Sequence, residues 1–155
     1  PLPEAQLDRF GMKIALGYPS HDQEVEILYS HFHHHPVEDV EAILDGPEVL
    51  QLQEIVRAVR VERALADYII RLVDASRHHD SIKMGCSPRG ALAMLRAMQG
   101  RAFFEGRDYA IPEDVRRVCV PVLSHRLALE TKAKYSGVGK EDVVRDILEK
   151  VPVGI

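Results

Sequence analysis

Apolar residues recur at helical spacing through much of the chain. Val25, Leu28, Tyr29 and Phe32 fall at positions i, i+3, i+4 and i+7, and the same pattern returns between residues 65 and 73. Such spacing places apolar side chains along one side of a helix. The pattern therefore predicts two amphipathic helices that face one core.

Turn residues divide the rest of the helical pattern. Two shorter helices are predicted over 37–44 and 49–59, separated by the breaker Asp45-Gly46-Pro47. A final helix is predicted over about 141–150, closed by Pro152.

The helix that begins near Ser87 has the clearest start. Ser87 can cap it, Pro88 fits its first turn, and Gly100 or Gly106 offers an end. Its predicted core residues are Ala91, Leu95, Met98 and Ala102.

Another helix is predicted to open at Pro112, where Glu113 and Asp114 suit the positive end of the helix dipole. Pro121 is expected to kink or split it. Its predicted apolar face consists of Val115, Val118, Cys119, Val122, Leu123 and Leu127.

Residues 10–18 alternate apolar and smaller or polar residues before Pro19, which predicts one strand. A single strand is not stable alone, so we expect it to belong to a sheet formed largely by residues outside this sequence. The expected fold class is mainly α, a helical bundle preceded by that single strand.

Composition narrows the class of protein. Apolar residues make up 46% of the 155 residues and charged residues 28%, as in globular domains. No apolar run approaches the roughly 20 residues of a membrane span, and the start lacks the pattern of a signal peptide. We therefore expect a cytoplasmic protein cut from a longer chain, with Cys86 and Cys119 as buried, reduced thiols.

The net charge of −4 conceals an asymmetry. Residues 1–82 hold 7 Lys/Arg and 15 Asp/Glu, whereas residues 83–134 hold 10 and 5. A basic second half suits a triphosphate or an acidic neighbouring subunit as well as nucleic acid. The acidic total makes general nucleic-acid binding the weaker interpretation, so no nucleic-acid partner is predicted.

Two arginines are candidates for phosphate contacts. Arg89 lies in the first turn of its helix, where the dipole disfavours a cation by roughly 0.3 to 1 kcal/mol, so an anion is expected nearby. The alternative is that Arg89 bends back to a surface carboxylate. Arg9 immediately precedes the predicted strand and can project into a neighbour, or it can pair with Asp8 or Glu4.

Other chemistry is weakly indicated. His31 and His35 have the i, i+4 spacing of zinc-binding pairs, but the cluster His31–His35 lacks an accompanying Cys or carboxylate, and no metal site is predicted. Gly139-Lys140 is not a P-loop, since that motif needs Gly at position 134 and Ser or Thr at 141. This chain alone is therefore not expected to hydrolyse ATP.

Six blocks, in order, resemble the C-terminal part of MoxR-type AAA+ ATPases, and the resemblance runs from Pro1 to about Val153. The blocks are Pro3–Phe10, Gly17–Pro19, Gly85–Leu92, Gly106–Tyr109, Pro112–Val115 and Val122–Leu127. The resemblance implies an AAA+ lid-type bundle over 20–155, with a possible helical insertion at 36–73, after a core remnant at 1–19. Ile111 departs from the family's usual Ser or Thr cap.

The resemblance also implies roles for residues. Arg9 corresponds to the arginine finger that reaches ATP in the adjacent subunit, and Arg89, after Ser87 and Pro88, to the sensor 2 arginine. Whether Arg89 acts on its own or the neighbour's nucleotide stays open. ATP and Mg²⁺ would be held by the full-length protein, not by this chain alone.

The expected function is that of a regulatory lid in a ring-forming, hexameric, chaperone-like ATPase of identical subunits that acts on an unidentified client. One alternative is a free-standing helical interaction module without a nucleotide role. Another is a helix-turn-helix DNA binder that uses Arg116, Arg117 and Arg126.

Overall fold

The computed structural model describes residues 3–32 and 35–154, which form two compact units. One unit, here called the bundle, combines the residues up to Lys13 with those from Glu54 onward. The other comprises residues 14–53 and is called the acidic segment, because it contains eight Asp/Glu and neither Lys nor Arg. The division of the chain at residue 19 stays a prediction.

The described chain is mainly α-helical, as predicted. Its elements, in order, are α1 (Glu4–Leu7), α2 (His21–Ser30), a 3-10 turn (Pro36–Asp39), α3 (Gly46–Ala58), α4 (Arg63–Arg77), β1 (Ile82–Met84), α5 (Pro88–Phe104), α6 (Pro112–Leu123), a 3-10 turn (Ser124–Arg126), β2 (Ala128–Leu129), α7 (Thr131–Tyr135) and α8 (Lys140–Lys150).

The core of the bundle lies between α4, α5, α6 and α8, and α5 packs most extensively against α6. The predicted α4 is confirmed, and its apolar side turns inward: Leu72 is completely buried and Val73 nearly so. All six residues predicted for the apolar face of α6 and the turn after it are buried. Burial of these side chains is the main force that stabilises the bundle.

Helix α5 starts as predicted, after Ser87 and with Pro88 in its first turn, and it ends at Phe104. Gly106 follows with a φ of 73°, a conformation that favours glycine. Of the predicted core residues, Met98 and Ala102 are buried, whereas Ala91 and Leu95 are half-buried. The buried side is rotated from the predicted one and also includes Gly90, Met94 and Gln99.

The rotated side of α5 includes a buried polar side chain, that of Gln99. The Gln99 side chain donates hydrogen bonds to the carbonyls of Arg57 (3.1 Å) and Val59 (2.9 Å), where α3 ends. Carbonyls at a helix C-terminus lack donors within the helix, and the Gln99 amide provides donors for these two. The spacing of apolar residues cannot predict the burial of such an amide.

Of the two predicted effects of Pro121, the split of α6 is wrong, because the helix continues to Leu123. The kink stays a prediction. A proline removes one backbone hydrogen bond, and here it does so in the last turn, where the helix is about to end. The Pro121 carbonyl instead accepts a hydrogen bond from Lys13 N–H (2.8 Å). That bond fixes the N-terminal segment against α6.

The start of α6 is capped although Ile111 offers no side-chain acceptor. Asp114 reaches back to Ile111 N–H (2.9 Å) and binds Arg107 through both carboxylate oxygens (2.8 and 2.6 Å). The Arg107 guanidinium holds the pKa of Asp114 below its usual value against the opposing effect of burial. A buried acid in the first turn therefore replaces the missing cap.

The strand predicted over 10–18 is not present, since these residues have no regular secondary structure. A strand needs a neighbouring strand to pair with, and no strand among the described residues pairs with this segment. The antiparallel pair in the structure is instead β1 with β2, in which Ile82 lies opposite Leu129 and Met84 opposite Ala128. These strands have three and two residues, which is too short for an alternation of apolar and polar residues to be recognised in the sequence.

In the acidic segment, α2 begins with reciprocal hydrogen bonds between Ser20 and Gln23. The helix forms where predicted, but the expectation that it is packed into a core is wrong: Leu28 and Tyr29 are each 73% exposed. The helix predicted over 37–44 is reduced to the 3-10 turn Pro36–Asp39. Without buried side chains, the propensity of so short a segment is insufficient to form an α-helix.

None of the described helices has the length and apolarity needed to cross a membrane.

Candidate functional site

Arg9 and Arg89, 80 positions apart in the sequence, line the same open groove, which has a volume of about 500 Å³. We call it the arginine groove. Arg96 and Arg126 also line it, with Gly11, Met12, Leu92, Ala93 and Ala97. Four guanidinium groups and no carboxylate among these residues make the groove suited to an anion.

Arg89 is exposed in the first turn of α5, a turn that contains no acidic residue. Among the described residues it makes no hydrogen bond or ion pair, so the alternative that it bends back to a surface carboxylate does not hold. A cation at the positive end of a helix is left there without local compensation. An anion in the groove would supply that compensation.

Arg9 follows α1 and is also exposed. It does not pair with Asp8, its neighbour in sequence. The Asp8 carboxylate instead accepts a hydrogen bond from Ser87 Oγ (3.0 Å) and lies 3.4 Å from Arg126 Nε. Among the described side chains the Arg9 guanidinium has no hydrogen-bond or ion-pair partner. The alternative partner Glu4 has a side chain that lies outside the description.

Arg126 differs from the other arginines of the groove because its side chain is only 1% exposed. Its guanidinium donates to the carbonyls of Phe10 (2.5 Å), Gly11 (3.2 Å) and Val122. Burial lowers the pKa of Arg126, and the carboxylate of Asp8 opposes that effect. Arg126 therefore fixes the segment after Arg9 to the end of α6, and its burial removes it from the DNA-contacting set of the helix-turn-helix alternative.

The start of α5 is fixed by the end of α4. Cys86 N–H donates to Ser76 Oγ (3.0 Å), and Arg77 Nε donates to the Cys86 carbonyl (2.9 Å). Gly85 lies so close to this helix end that a Cβ would be 2.6 Å from the Ser76 carbonyl oxygen and 2.7 Å from Arg77 Cα. The position of Arg89 thus depends on close backbone contact between two helices.

The chain is similar to known proteins over nearly its whole length. Residues 74–147 match the AAA lid domain family. MoxR1 of Mycobacterium tuberculosis, named as a chaperone, is 40% identical over 160 residues, with 97% of this chain and 42% of MoxR1 covered. The chain corresponds to the lid-bearing part of the MoxR-type AAA+ ATPases.

Two further similarities extend along the whole chain. YeaC of Bacillus subtilis is 39% identical over 155 residues, which are 100% of this chain and 48% of YeaC. The crystal structure of a proposed ATPase from Cytophaga hutchinsonii superposes with a TM-score of 0.88 at 34% identity, covering 98% of this chain and 49% of that one. The chain thus spans about half the length of the relatives it matches.

The region matched to the AAA lid domain contains both cysteines and His125. Burial raises the pKa of both thiols, that of Cys119 to about 12. Both cysteines are free and buried, so they occupy core positions as predicted rather than a disulfide.

The histidine cluster lies outside this AAA lid region and only partly within the described residues, since His33 and His34 are not among them. His31 and His35 have their ring centroids 5.0 Å apart in an edge-on arrangement. Over residues 3–32 and 35–154, no group of three or more His, Cys, Asp or Glu is arranged to hold a metal ion.

His125 is a titratable group of the lid that sequence analysis did not single out. It is 8% exposed, and its Nε2 lies 2.7 Å from Arg126 Nη1 and 3.1 Å from the Phe10 carbonyl oxygen. Burial lowers the pKa of His125, and the charge of Arg126 acts in the same direction. Arg126 can only donate and the Phe10 carbonyl can only accept, so Nε2 hydrogen-bonds Arg126 when it carries no proton and Phe10 when it does.

A pH dependence of stability follows. The unfolded chain binds a proton at His125 at a higher pH than the folded chain does. The contribution of His125 to the free energy of unfolding is therefore greatest above the ordinary imidazole pKa of about 6.5. It is expected to decrease as the pH falls from there toward the lower pKa of the folded state. Urea denaturation between neutral and mildly acidic pH measures this slope.

His125→Gln keeps an acceptor near Arg126 but cannot titrate, so it is expected to flatten the slope. His78→Gln is the matched control, because the His78 side chain is 74% exposed. An unchanged slope in His125→Gln would assign the pH dependence to other groups.

Proposed function

We propose that this chain is the lid-bearing part of a ring-forming MoxR-like AAA+ ATPase, and that its arginine groove receives the triphosphate of ATP bound by an adjacent subunit. Arg9 serves as the arginine finger and Arg89 as the sensor 2 arginine. Ser87 and Pro88 set the start of the helix that carries Arg89. The observation that carries this proposal is that two arginines without a partner among the described side chains line one groove, whose lining residues include no carboxylate.

Charge and geometry support phosphate as the ligand. A guanidinium donates paired hydrogen bonds that match phosphate oxygens, and the N-terminus of α5 adds a favourable dipole. During phosphoryl transfer, negative charge develops on the transferred group, and fixed positive charge stabilises it. The exposed groups at Arg9 and Arg89 can approach such a ligand, whereas the buried Arg126 cannot leave its carbonyl partners.

The shared groove also bears on whether Arg89 acts in cis or in trans. A finger acts on the nucleotide of a neighbouring subunit. Arg89 lines the same groove as Arg9 within one chain, which supports contact of both side chains with one ligand. This favours action of both arginines in trans, on ATP held with Mg²⁺ by the core of the adjacent subunit.

The proposed biological role is chaperone-like remodelling or maturation of protein complexes by identical subunits in a hexameric ring. A relative named as a chaperone supports it. The lid would couple the nucleotide state to the position of the bundle, since Arg89 joins the phosphate to a helix that packs along α6.

Arg89→Ala in the full-length protein tests the proposal. We expect kcat for ATP hydrolysis to fall by roughly 10- to 100-fold, because a charge-assisted contact to the transferring group is lost. Steady-state phosphate release by assembled rings measures it.

Arg101→Ala is the matched control. Arg101 also lies on α5 but pairs with Glu105 on the surface (2.6 Å), an interaction of small energetic value. Equal kcat for the Arg89→Ala and Arg101→Ala proteins would contradict the proposed role of Arg89.

A further inference from the structure

We infer that Asp8 is a positioning residue, which holds the segment carrying Arg9 to the start of the helix carrying Arg89. This inference rests on the proposed function. It assigns to Asp8 a part in catalysis that acts through Arg9 and not through contact with ATP.

The carboxylate of Asp8 joins three parts of the bundle. It accepts a hydrogen bond from Ser87 Oγ at 3.0 Å, and Ser87 immediately precedes α5. Its other oxygen lies 3.4 Å from Nε of Arg126, at the end of the 3-10 turn after α6. Asp8 is one residue from Arg9, and Ser87 is two residues from Arg89, so one carboxylate fixes the backbone beside both exposed guanidinium groups.

Arg126 completes the arrangement from the other side. It donates to the carbonyls of Phe10 and Gly11, directly after Arg9. The backbone of residues 8–11 is therefore held through one side chain and two carbonyls, while the side chain of Arg9 stays exposed. A side chain of that length needs such a support if its charged end is to stay near one point.

The ion pair between Asp8 and Arg126 is strengthened by burial. The Asp8 side chain is 25% exposed and that of Arg126 only 1%, so the pair is largely shielded from solvent. Charged groups interact more strongly there than on the surface, and removal of one partner leaves the other uncompensated. Asp8→Ala removes both the charge and the acceptor and therefore risks loss of the fold. Asp8→Asn removes the charge but keeps an acceptor for Ser87 Oγ, and Ser87→Ala removes one hydrogen bond and leaves the ion pair intact.

The catalytic test uses Ser87→Ala and Asp8→Asn in the full-length protein, with Ser136→Ala and Asp108→Asn as controls. Ser136 Oγ donates to a carbonyl in its own exposed turn, and Asp108 pairs with Arg60 in an exposed ion pair. We expect kcat for ATP to fall on the order of tenfold in the first two variants, with KM unchanged, since a displaced finger affects the transition state. The controls keep the original kcat.

A double-mutant cycle separates positioning from a purely structural effect. If Asp8 and Ser87 act through Arg9, then Ser87→Ala changes kcat by less than about twofold once Arg9 is already Ala. A structural defect would lower the activity of the Arg9→Ala protein as much as that of the original protein.

A second readout does not depend on activity. In the 155-residue chain, Ser87→Ala is expected to accelerate amide hydrogen exchange of Phe10 and Lys13 by at least about fivefold, with no change in the core of α4. The amides of these two residues donate to the carbonyls of Leu7 and Pro121.

The outcomes are distinct. Original kcat and original exchange in Ser87→Ala, or a full additional loss in the Arg9→Ala background, would overturn the positioning role and leave the proposed function intact. Original turnover by Arg9→Ala would overturn the proposed function and the positioning role with it. Slower kcat at constant KM, together with faster exchange and a non-additive cycle, supports both.

Discussion

Replacing Arg9 with alanine is expected to lower ATP turnover by assembled rings about 1,000-fold or more, the loss typical when an arginine finger is removed. The fold should be unaffected, because the Arg9 side chain is exposed and makes no hydrogen bond or ion pair within the described residues. Phosphate release and thermal unfolding of the same sample measure both properties.

Mixed rings make the test specific for action between subunits. Subunits with Arg9→Ala keep a working nucleotide pocket, whereas subunits with an inactivated P-loop keep Arg9. If Arg9 acts in trans, mixing the two inactive proteins restores turnover at interfaces where an intact finger faces an intact pocket. Near-normal hydrolysis by rings made of Arg9→Ala subunits alone would refute the finger role.

Leu72→Ala is expected to have the largest effect on stability. Leu72 is completely buried in α4, so truncation removes favourable transfer energy and leaves a cavity. The free energy of unfolding should fall by about 2–5 kcal/mol, measured by urea denaturation of the 155-residue chain.

Ile70→Ala is the matched control, because Ile70 lies two residues away on the same helix and is 54% exposed. Its expected change is within about 0.5 kcal/mol. Similar losses in both variants would show that the pattern of burial along α4 differs from the one described.

The helices that pack against the core were the most predictable elements. In α4 and α6, periodic apolar positions and the turn residues at the ends agree, and both helices form with the expected buried sides. The prediction fails for α2, whose spacing is equally regular but which has no buried residue. Periodicity shows that a helix has an apolar face, but it does not show what covers that face.

The site was predictable only in part. Arg89 could be predicted as a candidate from its position alone, because a cation in the first turn of a helix is unfavourable. The partnership of Asp8 with Ser87 and Arg126 had no local signal, since 79 residues separate Asp8 from Ser87. Such contacts arise from tertiary packing, which brings the N-terminal segment back to the end of α6.

The close approach of Gly85 to α4 has a consequence for how this lid can vary. Even a methyl group at position 85 would clash with the backbone at the end of α4. The clash could be removed only by a shift of the start of α5, and Arg89 would shift with it. Gly85→Ala would therefore displace the Arg89 guanidinium, about four residues away, without any direct contact with it.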